Sequence, residues 1–76
     1  MSRVVDVTLH VDEGLGPDRR LDITQTLRSR EGVVDANFND DKPHLMIVTY
    51  DADRMEAVEL LDALKTRGVH GELIGL

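Results

Sequence analysis

Three side chains of types that hold metal ions, His10, His70 and Glu72, could lie near one another. His10 ends the first predicted strand and His70 begins the last, and we expect these strands to be antiparallel neighbours. Both rings would then meet on one sheet face, where imidazole and carboxylate suit Zn(II), Cu(II) or Ni(II). His44 begins another strand, and we expect it at the opposite end. Without HxH or HxxxH spacing, two adjacent surface histidines are the plainer interpretation.

Catalytic patterns are missing from the sequence. No serine stands in a recognised motif with histidine and aspartate, and no pair of carboxylates has an apolar setting. Gly14 and Gly16 lack the third glycine of a nucleotide-binding loop. Asp40 and Asp41 supply too few oxygens for Ca(II) or Mg(II), and turn formation explains them. We therefore expect a protein that is not an enzyme and holds no cofactor.

Composition limits which kinds of molecule the protein can bind and which chemistry it can perform. The 76 residues include 15 acidic and 9 basic side chains, giving a net charge of -6, and no cysteine. This charge repels phosphate backbones and anionic lipid surfaces, so we expect no nucleic-acid binding. No apolar run is long enough to cross a bilayer, so we expect no membrane insertion. The lack of cysteine excludes thiol chemistry. Because the first residues form no apolar signal segment, a cytoplasmic location is the expectation.

The hydrophobic pattern predicts six elements in the order βαββαβ, which fill residues 1–76 as a single domain. Strands are predicted at 5–11, 34–39, 44–50 and 69–74, where apolar residues alternate or run together. Helices are predicted at 17–30 and 54–67. The first begins at Pro17 and stops before Gly32, and the second has Asp53 and Glu56 as a capping box.

Two strand-helix-strand units with right-handed crossovers give a four-stranded antiparallel sheet in the order 4-1-3-2, with both helices on one face. This is the α+β ferredoxin-like sandwich. Alternate strand residues and one stripe of each helix are predicted to form its core. They are Val5, Val7, Leu9, Val11, Ile23, Leu27, Val34, Ala36, Phe38, Met46, Val48, Tyr50, Ala57, Val58, Leu61 and Leu64.

The sheet face away from the helices is one candidate binding surface. We expect Leu45, Ile47 and Thr49 of the third strand on it, together with Ile74 and Leu76 from the fourth. An apolar strip rimmed by acidic residues is what a protein partner or a second copy of the chain would bury. Solitary surface aliphatics without a role are the alternative.

Several short motifs are spread over nearly the whole chain. They are Gly32-Val33, Ile23 and Leu27 before it, Val48-Thr49-Tyr50-Asp51 at a strand end, and Gly68 after the last helix. With these motifs the chain resembles the heavy-metal-associated (HMA) domain of copper chaperones and metal-pumping ATPases. Another ferredoxin-like family, such as the ACT regulatory domain, is the alternative.

The resemblance implies a metal-binding loop between the first strand and the first helix, where the family has C-x-x-C. Counting back from Gly32-Val33 places the two cysteine positions at Gly16 and Arg19. Glycine offers no ligand, and a guanidinium stays protonated and repels cations. The family's two-thiolate site for Cu(I) or Zn(II) is therefore expected to be absent, and a metal ion is not the expected partner.

The same loop is the second candidate surface for a protein partner, formed by Gly14, Leu15, Gly16, Arg19 and Arg20. Arg19 would place a fixed positive charge where the family holds its metal, although a solvated arginine is the plainer interpretation. The sequence thus favours a non-catalytic binding or regulatory module that recognises a protein partner or itself. A metal-binding protein using His10 and His70 is the alternative function.

Overall fold

A computed structural model describes residues 3–75, and its elements follow the predicted order. The strands are β1 (Val4–Val11), β2 (Val33–Phe38), β3 (Leu45–Asp51) and β4 (Gly71–Gly75), and the helices are α1 (Pro17–Arg28) and α2 (Ala57–Lys65). All strand pairs are antiparallel in the order β2-β3-β1-β4, which confirms the ferredoxin-like sheet. Leu76, expected on the open sheet face, lies outside the described residues.

The core lies between the helices and one face of the sheet. The central strand β1 contributes Val7, Leu9 and Val11, because alternation sends every second residue to the same face. Most of the other predicted core residues are also buried: Ile23, Leu27, Ala36, Met46, Val48, Tyr50 and Leu64. A further group is partly buried against them: Val5, Phe38, Ala57 and Leu61. Within residues 3–75, neither helix is long and apolar enough to cross a membrane.

A β-bulge in β2 overturns one predicted core residue. Val33 lies opposite Tyr50 and Asp35 lies opposite Thr49, so Val34 is the extra residue between two paired ones. A bulge interrupts the alternation of a strand. Val33 therefore packs against the core, while Val34 is 61% exposed. The prediction that Val34 faces inward is wrong for this reason.

The edge of β2 is bound to the last turn of α1. Arg28 Nε donates to Asp35 Oδ1 at 3.1 Å, and Arg28 Nη2 donates to Asn37 Oδ1 at 2.7 Å. The amide of Asn37 in turn donates to the second carboxylate oxygen of Asp35 at 2.9 Å. These contacts hold the helix end against the outer strand.

The start of α2 also differs from the prediction. The predicted cap, Asp53, belongs to a turn held by Asp51, whose buried carboxylate accepts the backbone N–H of Asp53 at 3.0 Å. Glu56 is the N-cap, and its N–H donates to the carboxylate of Glu59 at 2.6 Å. The capping pair therefore lies three residues further along than Asp53 and Glu56.

The side of α2 that enters the core also differs from the prediction. Leu60 is fully buried, although it was not among the predicted core residues, and Val58 is 51% exposed instead of buried. The prediction for Val58 is therefore wrong. α1 likewise ends at Arg28 instead of residue 30, with Ser29 as its C-cap. Gly32 follows with a φ of +99°, and a Cβ there would lie 3.1 Å from Met55 Sδ, so this connection requires glycine.

Candidate functional site

The loop between β1 and α1 is held to the core by one side chain, Leu15, and is exposed at the glycines on either side of it. Gly16 is the N-cap of α1, with φ -72° and ψ 171°, and Pro17 is the first helical residue. Leu15 packs against the core. Gly14 and Gly16 are exposed, and a Cβ added at either would meet nothing within 4 Å. The loop therefore has room for side chains at both glycines.

Arg19 is held by neighbouring groups of the protein. Its Nη2 donates to the backbone carbonyl of Arg67 at 2.8 Å, and its Nη1 lies 3.6 Å from Asp22 Oδ2. Arg67 reaches back to α1, with Nη2 3.2 Å from Asp22 Oδ1 and Nε donating to Thr26 Oγ1 at 3.0 Å. These contacts join the start of α1 to the end of α2. They favour a structural role for Arg19 over the imitation of a bound metal ion.

A shallow polar groove runs between the two helices beside these contacts. Its charged members are Asp22 and Arg67, which pair with each other at 3.2 Å. Gln25, Thr26, Ser29 and Thr66 supply the remaining polar lining. General acid-base catalysis needs a titratable group directed at a substrate. Here the Asp22 carboxylate is directed at the Arg67 guanidinium, which stays protonated and cannot act as a base.

Glu13, at the end of the loop nearest β1, is bound to His70 just before β4. Its carboxylate accepts the ring Nδ1–H of His70 at 2.7 Å and the backbone N–H of His70 at 2.9 Å. Hydrogen bonds to an ionised carboxylate favour that form. The ring bond from His70, and next the backbone bond, therefore lower the pKa of Glu13 below 4.5. No sequence pattern indicates this contact, because the two residues are 57 positions apart.

Replacing Glu13 by glutamine is expected to lower stability near neutral pH and to have no effect in strong acid. Because the folded state lowers the pKa of Glu13 from 4.5, the carboxylate contributes stability that is fully present above that pH. This contribution is lost as the pH falls through the lowered pKa. Melting temperatures of the two proteins, measured from about pH 7 to about pH 2, should therefore converge at the acid end. Glu72→Gln is the control, and a constant difference across the range would contradict the prediction.

The histidines do not meet as the sequence predicts. The ring of His10 stacks on that of His44, with centroids 5.9 Å apart and planes at 17°. The prediction that His44 lies at the opposite end is wrong, because the register of β1 with β3 places Leu45 opposite His10. His70 binds Glu13 instead, so His10, His70 and Glu72 do not form one ligand set. Among residues 3–75, no three histidine, aspartate or glutamate side chains group around a position for a metal ion.

The open sheet face carries isolated apolar side chains. Ile47, in the middle of β3, is 46% exposed. Ile74, predicted on the same face, is exposed, but it is the extra residue of a bulge in β4, between Leu73 opposite Leu9 and Gly75 opposite Thr8. Leu45 and Thr49 are half-buried. Thr8 on β1 and Asn37 on β2 lie opposite Ile47 in the two registers. Ile47 therefore stands in a polar row of the sheet.

Acidic side chains surround this row. Asp6 and Asp35 both lie opposite Thr49, from the strands on either side, and Glu72 lies opposite His10. Asp6 accepts the hydroxyl of Thr49 at 2.5 Å. Asp35 is paired with Arg28, as described above. The open face thus carries one exposed aliphatic side chain, Ile47, with the acidic residues Asp6, Asp35 and Glu72 around it.

The sheet order, the two helices and the loop from β1 into α1 define a class: the chain has the ferredoxin-like fold of HMA domains, without their cysteines. Oxidized MerP from Ralstonia metallidurans CH34 matches with a TM-score of 0.84 at 18% identity, over 93% of this chain and 97% of that one. The N-terminal domain of a potential copper-translocating P-type ATPase from Bacillus subtilis matches with a TM-score of 0.86 at 19% identity, over 96% and 90%. The CopZ metallochaperone matches with a TM-score of 0.78 at 18% identity, over 92% and 100%.

At these identities the likeness establishes the fold. No protein-family model and no curated protein matches the sequence.

Proposed function

We propose that this chain is a cysteine-free descendant of HMA domains and acts as a non-catalytic binding module for a protein partner in the cytoplasm. The shared fold over at least 92% of the chain supports the descent. Gly16 and Arg19 stand at the positions implied for the two thiolates, so Cu(I) transfer through sulfur is not available to it. A protein that passes a metal ion to a partner must also recognise that partner, and this recognition needs no sulfur.

The observation that carries the proposal is the half-exposed Ile47 on a sheet face framed by Asp6, Asp35 and Glu72. An exposed aliphatic at the centre of a polar frame is the usual composition of a binding surface. Two copies of this face would bring acidic groups together, which costs free energy. A partner that surrounds an apolar contact with basic side chains fits better than a second copy.

Ile47→Asp is expected to remove most partner binding while leaving the fold intact. A central apolar contact that matters costs about 2 kcal/mol or more when lost, or roughly 30-fold in affinity. The protein would be immobilised and exposed to extract of its native host, and each captured protein would then be purified and titrated. Val58→Asp is the matched control, because Val58 is exposed to a similar degree but lies on α2.

Three outcomes would change the conclusion. Equal affinity of Ile47→Asp and the wild type would exclude the open face. Loss of binding in Arg20→Glu alone would move recognition to the loop of residues 14–20. Light scattering that shows a dimer sensitive to Ile47→Asp would make the second copy the partner, contrary to the charge argument.

A further inference from the structure

His10 and His44 form a pair of imidazoles on the surface. His10 lies in β1 and His44 immediately precedes β3, and the two rings are nearly parallel at 5.9 Å. Both residues retain solvent exposure. They therefore contribute little to the core, and packing alone does not explain two imidazoles at this position.

The hydrogen bonds of the two rings fix the same tautomer in both. His10 Nδ1 lies 3.2 Å from Asp12 Oδ1, and His44 Nδ1 lies 2.9 Å from the backbone carbonyl oxygen of Val11. A carbonyl and an ionised carboxylate only accept hydrogen bonds, so Nδ1 carries the proton in each ring. The lone pair of each neutral imidazole is then on Nε2. None of the hydrogen bonds among residues 3–75 uses Nε2 of either ring.

This is the arrangement that prepares a histidine to bind a metal ion. A ligating imidazole usually donates its other ring N–H to a carboxylate or a backbone carbonyl, which orients the ring and raises its basicity. Here the carboxylate of Asp12 accepts the hydrogen bond of His10, and the backbone carbonyl of Val11 accepts that of His44.

We propose that His10 and His44 bind one divalent transition-metal ion through Nε2, with water completing the coordination. The nitrogen ligands select Cu(II), Ni(II) and Zn(II) over Ca(II) or Mg(II), and Cu(II) should bind most tightly. The net charge of -6 and the nearby carboxylates of Asp12 and Glu72 favour a cation at this place. The site differs in ligands and position from a two-thiolate site at Gly16 and Arg19.

Titration of the purified chain with Cu(II), Ni(II) and Zn(II), by calorimetry and by the Cu(II) electron paramagnetic resonance spectrum, tests the proposal. We expect one ion per chain, with Cu(II) bound most tightly and nitrogen coordination in its spectrum. His10→Ala and His44→Ala should each abolish this binding. Asp12→Ala should weaken it by about 10-fold, the lower end for an orienting partner, because Asp12 is exposed.

The control variants separate this site from the other histidine and from non-specific binding. His70→Ala should retain full affinity. Unchanged binding in His10→Ala or His44→Ala, a loss in His70→Ala, or no binding in the wild type would each overturn the proposal. Melting temperatures of all variants would show that they fold. Ile47→Asp should bind the ion normally, so failure of the protein-partner proposal leaves this result unaffected.

Discussion

The double substitution Gly16→Cys/Arg19→Cys is expected to create a Cu(I) site in a chain that has none of its ligands there. Gly16 is the N-cap of α1 and Arg19 is three residues later, so the two side chains face each other across the first turn. A helix N-terminus lowers the pKa of a thiol, and thiolates are the ligands that Cu(I) selects. Gly16 has extended backbone angles and open space around its Cβ position, so cysteine fits without strain.

Binding of Cu(I) should rise from undetectable to one ion per chain, measured by competition with a coloured Cu(I) chelator under reducing conditions. Replacement of Arg19 removes its bond to Arg67 and its pairing with Asp22, which should cost about 0–1 kcal/mol because these groups are exposed. Gly16→Ser/Arg19→Ser makes the same structural changes without sulfur and should bind no Cu(I). If the cysteine variant folds and also binds none, the loop is not a carrier loop that has lost its ligands, and the proposed descent is wrong.

Leu9→Ala is expected to have the largest effect on stability. Leu9 lies in the central strand β1, fully buried, opposite Met46 on one side and Leu73 on the other. Removal of a buried leucine side chain costs about 2–5 kcal/mol, from lost burial and from the cavity that remains. A core of this size supplies only about 3–5 kcal/mol in total. The variant should therefore be close to half unfolded without denaturant.

Urea denaturation followed by circular dichroism measures this effect. Leu73→Ala is the matched control, since Leu73 pairs directly with Leu9 but is 42% exposed. It should cost less than Leu9→Ala, because a half-exposed side chain has less burial to lose and leaves no enclosed cavity. Similar losses in the two variants would contradict the placement of Leu9 in the fully buried core.

The fold could be predicted from local patterns because the core residues of β1 and β3 occupy every second position, as expected for strands with one buried face. Val7, Leu9 and Val11 alternate, and so do Met46, Val48 and Tyr50, which fixed both the strands and their inner faces. Where the prediction for a side chain failed, a backbone feature intervened.

The β2 bulge accounts for one wrong core residue, and the start of α2 is a second backbone difference from the prediction. The bulge in β2 turns Val34 outward. The hydrophobic pattern of this short strand does not indicate a bulge, because Val33 and Val34 are both apolar. The sequence around α2 contains two acidic capping pairs in succession, Asp53 with Glu56 and Glu56 with Glu59. The buried carboxylate of Asp51, which accepts the N–H of Asp53, decides between them, and its burial is a tertiary property.

The binding sites were harder to predict than the fold, because they depend on which strand ends meet. The sequence drew attention to His10 and His70, but the register of β1 and β3 brings His44 to His10 instead. His70 is held by Glu13 from the loop. Strand order alone therefore identifies which elements are neighbours, whereas register and loop conformation decide which side chains touch.

The bulge at Val34 has a consequence for behaviour in concentrated solution. An outer strand with free N–H and C=O groups is a template onto which another chain can add, and irregular or charged edges prevent this. In β2 the bulge breaks the regular spacing of these groups, and Arg28, Asp35 and Asn37 place charge and fixed side chains along the same border. Fibre growth through β2 is thereby discouraged.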